Sequence, residues 1–256
     1  MAKPKIAVFK FSSCSGCQLV FLNCENELLD IAGAVEIAYF VEAKRGGDPG
    51  PYDIGFVEGA ITTPEEVERI HEVRRECKTL IAIGACATSG GIQSLKNWMN
   101  LEDLKKTVYE HPDKVSTLEW STPVDMYVPV DGCLYGCPID KNELLEFILS
   151  ALIGRTPQLR PHAVCVECKL KGNTCLMVAR NEPCMGGVTR AGCGALCPSV
   201  NRACYGCHGP GSDPNVISLA KQFEMMGLSG PEIARRLRQF TGYAEAFREV
   251  SKLYDE

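Results

Sequence analysis

Short apolar runs rich in β-branched and aromatic residues recur through the first half of the chain, at Lys5–Phe9, Val35–Val41, Ile54–Glu58, Thr79–Gly84 and Met126–Val130. Segments with helical spacing of apolar positions separate most of them. The segment Thr63-Pro64-Glu65-Glu66 offers an N-cap threonine, a proline at the first helical position and a glutamate three residues after the cap. Val67, Ile70 and Val73 then follow at helical intervals, and Gln18–Ile31 and Lys141–Ile153 read as helices in the same way. Strands alternating with helices predict an α/β fold built on a doubly wound parallel sheet.

The pattern changes after Gly154. From Arg155 to about Gly211 the sequence is rich in Cys, Gly and Pro and has no long apolar run, so that stretch has little hydrophobic core of its own. Metal binding can supply folding free energy where burial does not. Beyond His208 helical patterns return. Asp213-Pro214 reads as an N-cap and first helical residue, and Ile233, Leu237 and Phe240, then Tyr243, Phe247, Val250 and Tyr254, mark apolar faces. The expected organisation is two domains, residues 1–154 and 155–256.

With 256 residues the chain can bury a substantial core, and its formal net charge of −5 gives no general reason to expect nucleic-acid binding. No apolar run reaches the roughly 18 residues of a membrane span. The opening MAKPKIAVFK has no charged segment leading into an apolar one, so the cysteines are expected to be reduced and the protein cytoplasmic.

Of the fifteen cysteines, twelve form groups of chemical interest. Eight lie within 43 residues, Cys165, Cys168, Cys175, Cys184, Cys193, Cys197, Cys204 and Cys207, with successive gaps of 2, 6, 8, 8, 3, 6 and 2 residues. The other four, Cys14, Cys17, Cys86 and Cys137, follow the first, fourth and fifth expected strands. Ligands of open α/β sheets sit beyond the carboxyl ends of the strands, where residues distant in sequence can converge. Thiolates select iron–sulfur clusters, zinc or copper(I), and a four-iron cube takes four of them. Twelve thiolates suffice for three cubes. Two zinc ions in the eight-cysteine segment are the alternative there, since CxxC pairs are common in zinc ribbons. A flavin phosphate near Gly84, Gly90 and Gly91 would leave three cysteine-bearing loops unexplained. Glu58 ends the third expected strand on the same edge, either as a solvated carboxylate or as a group behind the cysteines that tunes a cluster or relays protons near it.

Seven stretches in order, SSCSGCQL, VEGAITTPEEV, AIGACATSGGIQS, LYGCPIDK, VCVECKLKGNTC, EPCMGGVTRAGCGALCP and ACYGCHG, give the chain a family resemblance. It resembles the small, electron-transferring subunit of [NiFe] hydrogenases, most of all the delta type of cytoplasmic sulfhydrogenases. The resemblance implies a flavodoxin-like first half and three [4Fe–4S] clusters. Cys14, Cys17, Cys86 and Cys137 match the proximal ligands, Cys165, Cys168, Cys175 and Cys184 the distal ligands, and Cys193, Cys197, Cys204 and Cys207 the medial ligands. Many periplasmic relatives have histidine where Cys165 stands, and many relatives have proline in place of Cys197. A fourth thiolate there implies a four-iron rather than a three-iron medial cluster. Cys137 is preferred over the nearby Cys133 because the Gly136-Cys137-Pro138 stretch is the family's motif.

The resemblance further implies an oxidoreductase subunit with no acid–base catalytic residue of its own. The nickel–iron site would lie in a large subunit, and a flavin- and iron–sulfur-bearing, diaphorase-type partner would exchange electrons with NADP(H) or NAD(H). A heterodisulfide-reductase or F420 partner is the alternative within the family, and the cluster-bearing subunit of complex I is a relative that usually lacks the eight-cysteine segment. A zinc-stabilised binding module is the alternative of another class. Cys24 and Cys77 are expected to be structural thiols. His162 and His208 lie near the cysteine motifs; they are expected to be ordinary, partly exposed residues, with hydrogen-bond donors behind the clusters as the alternative.

Overall fold

The computed structural model describes residues 3–24, 27 and 33–255. Its central element is a five-stranded sheet, β1 (Lys5–Lys10), β2 (Glu36–Phe40), β3 (Tyr52–Glu58), β4 (Cys77–Ile83) and β5 (Gly132–Leu134). The strands lie in the order β2-β1-β3-β4-β5, and all four pairings are parallel. This is the flavodoxin-like order, in which the connection reverses direction between β1 and β3.

Helices cover both faces, which is why β1, β3 and β4 are almost continuously buried rather than alternating with solvent. Alternate residues still go to opposite sides. Ile6, Val8, Phe56, Ile81 and Ile83 pack under α1 (Gly16–Leu22), while Ala7, Phe9, Val57, Leu80 and Ala82 pack against Ile70 and Val73 of α2 (Pro64–Glu76). Phe56 is at the centre of the first face, edge-on to Phe21 at 5.1 Å and to Phe147 at 5.8 Å between ring centroids.

The threonine–proline–glutamate start of α2 forms as the sequence indicates. Thr63 Oγ1 accepts from the Glu66 N–H at 3.3 Å, and the Glu66 carboxylate accepts in return from the Thr63 N–H at 3.3 Å. Glu66 also accepts from the Ser12 hydroxyl at 2.9 Å, which ties this helix to the loop after β1.

Two short helices follow, α3 (Gly84–Ser89) directly after β4 and α4 (Leu101–Val108). The fifth strand is displaced from its expected place at Met126–Val130. Val124–Met126 forms a tight 3-10 turn, and Pro129 can donate no ladder hydrogen bond. Pairing begins instead where the Asp131 N–H donates to the Leu80 carbonyl at 2.8 Å. The helix α5 (Lys141–Leu152) then starts at Asp140, whose carboxylate accepts from the N–H groups of Asn142 and Glu143. Of the helix expected over Gln18–Ile31, α1 covers the beginning, and the part beyond Cys24 falls mostly outside the described residues.

The remainder consists of short helices and turns. They are α6 (Val164–Leu170), α7 (Leu176–Arg180), α8 (Leu196–Ser199), α9 (Val216–Met225), α10 (Gly230–Leu237) and α11 (Glu245–Lys252). Asn215, not Asp213, caps α9. Its Oδ1 accepts from the Ser218 N–H at 3.0 Å, leaving Pro214 ahead of the cap. Val216, Phe223, Ile233, Leu237, Phe247 and Val250 of the last three helices form one core with Val164, Met185, Val188 and Cys204, so the terminal helices cover the cysteine-rich turns.

Candidate metal centre

Cys14, Cys17, Cys86 and Cys137 come together at the carboxyl edge of the sheet. Cys17 occupies the first turn of α1, directly after β1, and is buried. Cys86 is in α3 after β4, and Cys137 follows β5 across Gly136. Burial, Glu58, and then Cys86 and Cys137 hold the Cys17 thiol well above its ordinary range; Cys86 is pushed up to about 11, mainly by burial. Cys137 is raised by burial and by Cys14. Buried thiols of this kind cannot carry charge unaided, but a metal group supplies the compensating positive charge and takes them as thiolates.

The backbone leaves room close to these sulfurs. A Cβ on Gly84 would lie 2.3 Å from Cys17 Sγ, and one on Gly91 would lie 2.6 Å from Cys86 Sγ. Both glycines have positive φ, 81° and 62°, so the sequence places at each the residue that tolerates this conformation and the close approach.

Glu58 is 1 % exposed, which excludes the solvated reading of this carboxylate. Its Oε1 accepts from the Cys17 N–H at 3.0 Å and its Oε2 from the Gln18 side-chain amide at 2.7 Å. The Cys86 thiol donates to Gln93 Oε1 at 3.4 Å, and Gln93 Nε2 donates to the Ser12 carbonyl at 2.6 Å. Sequence reasoning did not find Gln18 and Gln93. Each stands close to a cysteine in its motif, one residue and seven residues on, but its target could not be read from spacing.

The eight remaining cysteines separate into two sets. Cys165 is raised by burial and then by Cys184, Cys168 and Cys175, and Gly186 lies against the sulfurs of both Cys165 and Cys184. Cys193 has Cys197 as a neighbour, and Cys207, pushed up to about 12 by burial, has Cys193 and Cys197. Cys204 is likewise pushed up to about 12 by burial and neighbours Cys184 and Cys207.

Two contacts join the sets in a row. The Cys204 N–H donates to Cys184 Sγ at 3.2 Å, and Gly136, next to Cys137, packs against the ring of His208, next to Cys207. The turn carrying Cys137 therefore lies beside the Cys193/Cys207 group, which through Cys204 meets the Cys165/Cys184 group.

Glu167 holds two of these motifs together. It is buried between Cys165 and Cys168, and its carboxylate accepts from the N–H groups of Gly192 and Ala195, both at 3.1 Å, and from Arg160 at 2.9 Å. The loop carrying Cys193 is thereby fixed to α6. His208 is buried rather than partly exposed, because Gly136 and Gly192 close over its ring, and burial pushes it below the ordinary histidine range. His162 is half-buried.

The three other cysteines lie elsewhere. Cys24 is buried and donates to the Val20 carbonyl at 3.2 Å. Cys77 is buried at the start of β4, and burial pushes it up to about 12. Cys133 lies in β5 opposite Ala82, and burial raises its thiol above the ordinary range. All fifteen cysteines are free.

The chain matches the family model described as NADH ubiquinone oxidoreductase, 20 Kd subunit, over residues 14–151, the span that holds the sheet-edge cysteines. It is 36 % identical over 236 residues to sulfhydrogenase 2 subunit delta of Pyrococcus furiosus, covering 92 % of this chain and 98 % of that one. The chain is a [NiFe]-hydrogenase small subunit of this family. The small subunit is also 33 % identical over 282 residues to a chain of the vhu F420-non-reducing hydrogenase of Methanococcus voltae, covering 98 % of each. Among solved structures, the NAD+-reducing [NiFe]-hydrogenase in the H2-reduced state matches with a TM-score of 0.57 at 29 % identity, over 61 % of the small subunit and 95 % of that chain. Among the described residues no helix is long and apolar enough to cross a membrane.

Proposed function

We propose that this small subunit is the electron relay of a cytoplasmic hydrogenase, holding three [4Fe–4S] clusters between the nickel–iron site of a large subunit and a flavin-bearing, NAD(P)-type partner. The observation that carries the reading is the serial placement of the three cysteine sets, with Gly136 beside Cys137 packed on His208 beside Cys207, and Cys204 hydrogen-bonded to Cys184. Cys14, Cys17, Cys86 and Cys137 are the proximal ligands, Cys193, Cys197, Cys204 and Cys207 the medial ligands, and Cys165, Cys168, Cys175 and Cys184 the distal ligands. Residues 1–154 form the flavodoxin-like domain with the proximal set, and residues 155–256 carry the other two.

Iron–sulfur clusters supply one-electron transfer at potentials set by charge, burial and hydrogen bonds to sulfur. The protein groups supply that environment. Glu58 fixes the Cys17 backbone and adds a buried negative charge beside three of the four proximal thiols. Met185, Phe223 and Phe247 belong to the apolar core that contains the buried Cys204 and against which the partly buried Cys168, Cys184 and Cys193 pack.

The zinc-module alternative has less support. Among the described residues no three Cys, His, Asp or Glu side chains close on one point as a single ion requires, whereas a cube spreads its four sulfurs more widely. The likeness to an NAD+-reducing enzyme favours a nicotinamide acceptor. Coenzyme F420 and heterodisulfide-reductase partners are separated from it by direct assay of acceptors.

Metal analysis of the anaerobically purified complex tests the proposal. The expected content is about 12 iron and about 12 acid-labile sulfide per small subunit, with nickel confined to the partner. Zinc without sulfide would overturn it.

A further inference from the structure

Three arginines from separate elements face one concavity in the cysteine-rich region. Arg180 ends α7, Arg202 follows α8 and Arg236 lies in the last turn of α10; with Glu182, Asn201 and Tyr205 they line a cavity of about 470 Å³. Two left-handed asparagines shape it. Asn181, at φ 53°, ends α7 and donates to the Met226 carbonyl at 3.3 Å, and Asn201, at φ 58°, turns the chain toward Arg202.

Among the described residues, none of these three guanidinium groups makes a hydrogen bond or ion pair, and Arg236 only approaches the Tyr205 ring at 5.9 Å. Other arginines are engaged: Arg74 with Asp131, Arg155 with Glu146 and Arg160 with Glu167. Three like charges around one cleft, opposed by the single carboxylate of Glu182, leave an excess positive charge that a dianion would neutralise.

We propose that this pocket binds a phosphoryl dianion and that its occupancy lowers the potential of the adjacent iron–sulfur groups. A carboxylate is satisfied by one planar fork, whereas forks from three directions suit the several oxygens of a phosphoryl group. The cavity is of the size that takes a small organic ligand, which leaves space beside Tyr205 for the remainder of an organic phosphate.

Pro183 and Ala203 form the inner wall, each next to a cysteine of the relay. Cys184 and Cys204 are themselves in contact through the 3.2 Å N–H to sulfur bond, so a bound dianion adds negative charge beside two cysteine sets at once. This second half of the proposal rests on the cluster assignment above; the binding half does not.

The test is calorimetric titration of the anaerobic complex with inorganic phosphate and, separately, with adenosine monophosphate at constant chloride. It compares wild type with Arg202→Gln, Arg236→Gln, Arg202→Lys and a control, Arg75→Gln, on α2. Saturable binding by wild type and control, weakened at least about tenfold in both glutamine variants and less in Arg202→Lys, supports the site. Tighter binding of the nucleotide than of phosphate, in the part lost with the arginines, assigns the ligand to organic phosphates, and equal binding assigns it to free phosphate. Absence of saturable wild-type binding, or binding indifferent to the glutamine substitutions, overturns the site. A redox titration followed by electron paramagnetic resonance then reads the second half. A shift to lower potential on ligand addition in wild type alone supports tuning, and unchanged potentials with the site filled overturn it.

Discussion

At the scale of single residues, Glu58 ties the sheet-edge cysteines to the end of β3 by accepting the Cys17 N–H at 3.0 Å. The spacing of Cys165 to Cys207 and the strand-end positions of Cys14, Cys17, Cys86 and Cys137 pointed to thiolate chemistry, because soft ligands in fours have few uses. The strand-end position of Glu58 makes it a candidate tuning group beside the cysteines, but nothing in its neighbours says that it is buried and accepts the Cys17 N–H. Its substitution separates structure from charge. Glu58→Gln retains an acceptor for that N–H and removes a negative charge, so the iron content should stay at the wild-type level while the proximal potential rises, as read by redox titration. Unchanged potentials would assign Glu58 a purely structural part. Glu167 was missed because its partners, the N–H groups of Gly192 and Ala195, arrive from more than twenty residues away. Each buried N–H left without an acceptor costs about 1–3 kcal/mol. Glu167→Ala should therefore lower the melting temperature of the complex and release iron, whereas Glu167→Gln should do so less. Equal behaviour of the two variants would exclude the hydrogen-bond explanation.

At the scale of elements, four of the five strands lie where their apolar runs indicate, since a strand buried on both faces leaves a clear apolar record. β5 was misplaced because it has only three residues, Gly132–Leu134, and the better-looking run before it is interrupted by Pro129. The cap of α9 moved for a similar reason: Asp213 and Asn215 are both good cap residues, and only the Ser218 N–H decides between them. The order of the strands matters to the site through the turn after β4. α3 begins at Gly84, where a positive φ of 81° and the Cys17 sulfur leave no place for a side chain. Gly84→Ala is expected to displace Cys17 or the turn itself, so that the purified complex loses about four of its iron atoms and keeps the rest. Full iron content in this variant would mean that the turn and the proximal set are independent. A contrasting change far from the sulfurs, Phe56→Ala, opens the aromatic cluster of the sheet and should destabilise the fold by about 3–5 kcal/mol. Iron loss there should follow unfolding and affect all sites together.

At the scale of the whole molecule, the arrangement is a series. The sheet edge offers one cysteine set, and the turns covered by α9, α10 and α11 hold two more. The Cys137 turn packs on His208 beside Cys207, and Cys204 hydrogen-bonds to Cys184, so the first set lies next to the middle one and the middle one next to the last. A series has a consequence that three independent sites would lack: removing the middle link stops throughput while leaving both ends chemically competent. Cys193 is the suitable place to cut. It lies in the proposed medial set, and its loop is anchored separately by Glu167, so Cys193→Ala removes a proposed ligand without removing the loop's hydrogen bonds. Hydrogen–deuterium exchange by the assembled enzyme needs no electron to leave the large subunit, and it should persist. Hydrogen-dependent reduction of the physiological acceptor should fall to background, and so should the reverse flow from reduced acceptor to protons. A truncation at the partner-facing end, Cys175→Ala, should instead spare reduction of the middle group by hydrogen while abolishing acceptor turnover. If Cys193→Ala left acceptor reduction intact, electrons would have a route that bypasses the middle set, and the serial reading of the three cysteine groups would have to be given up.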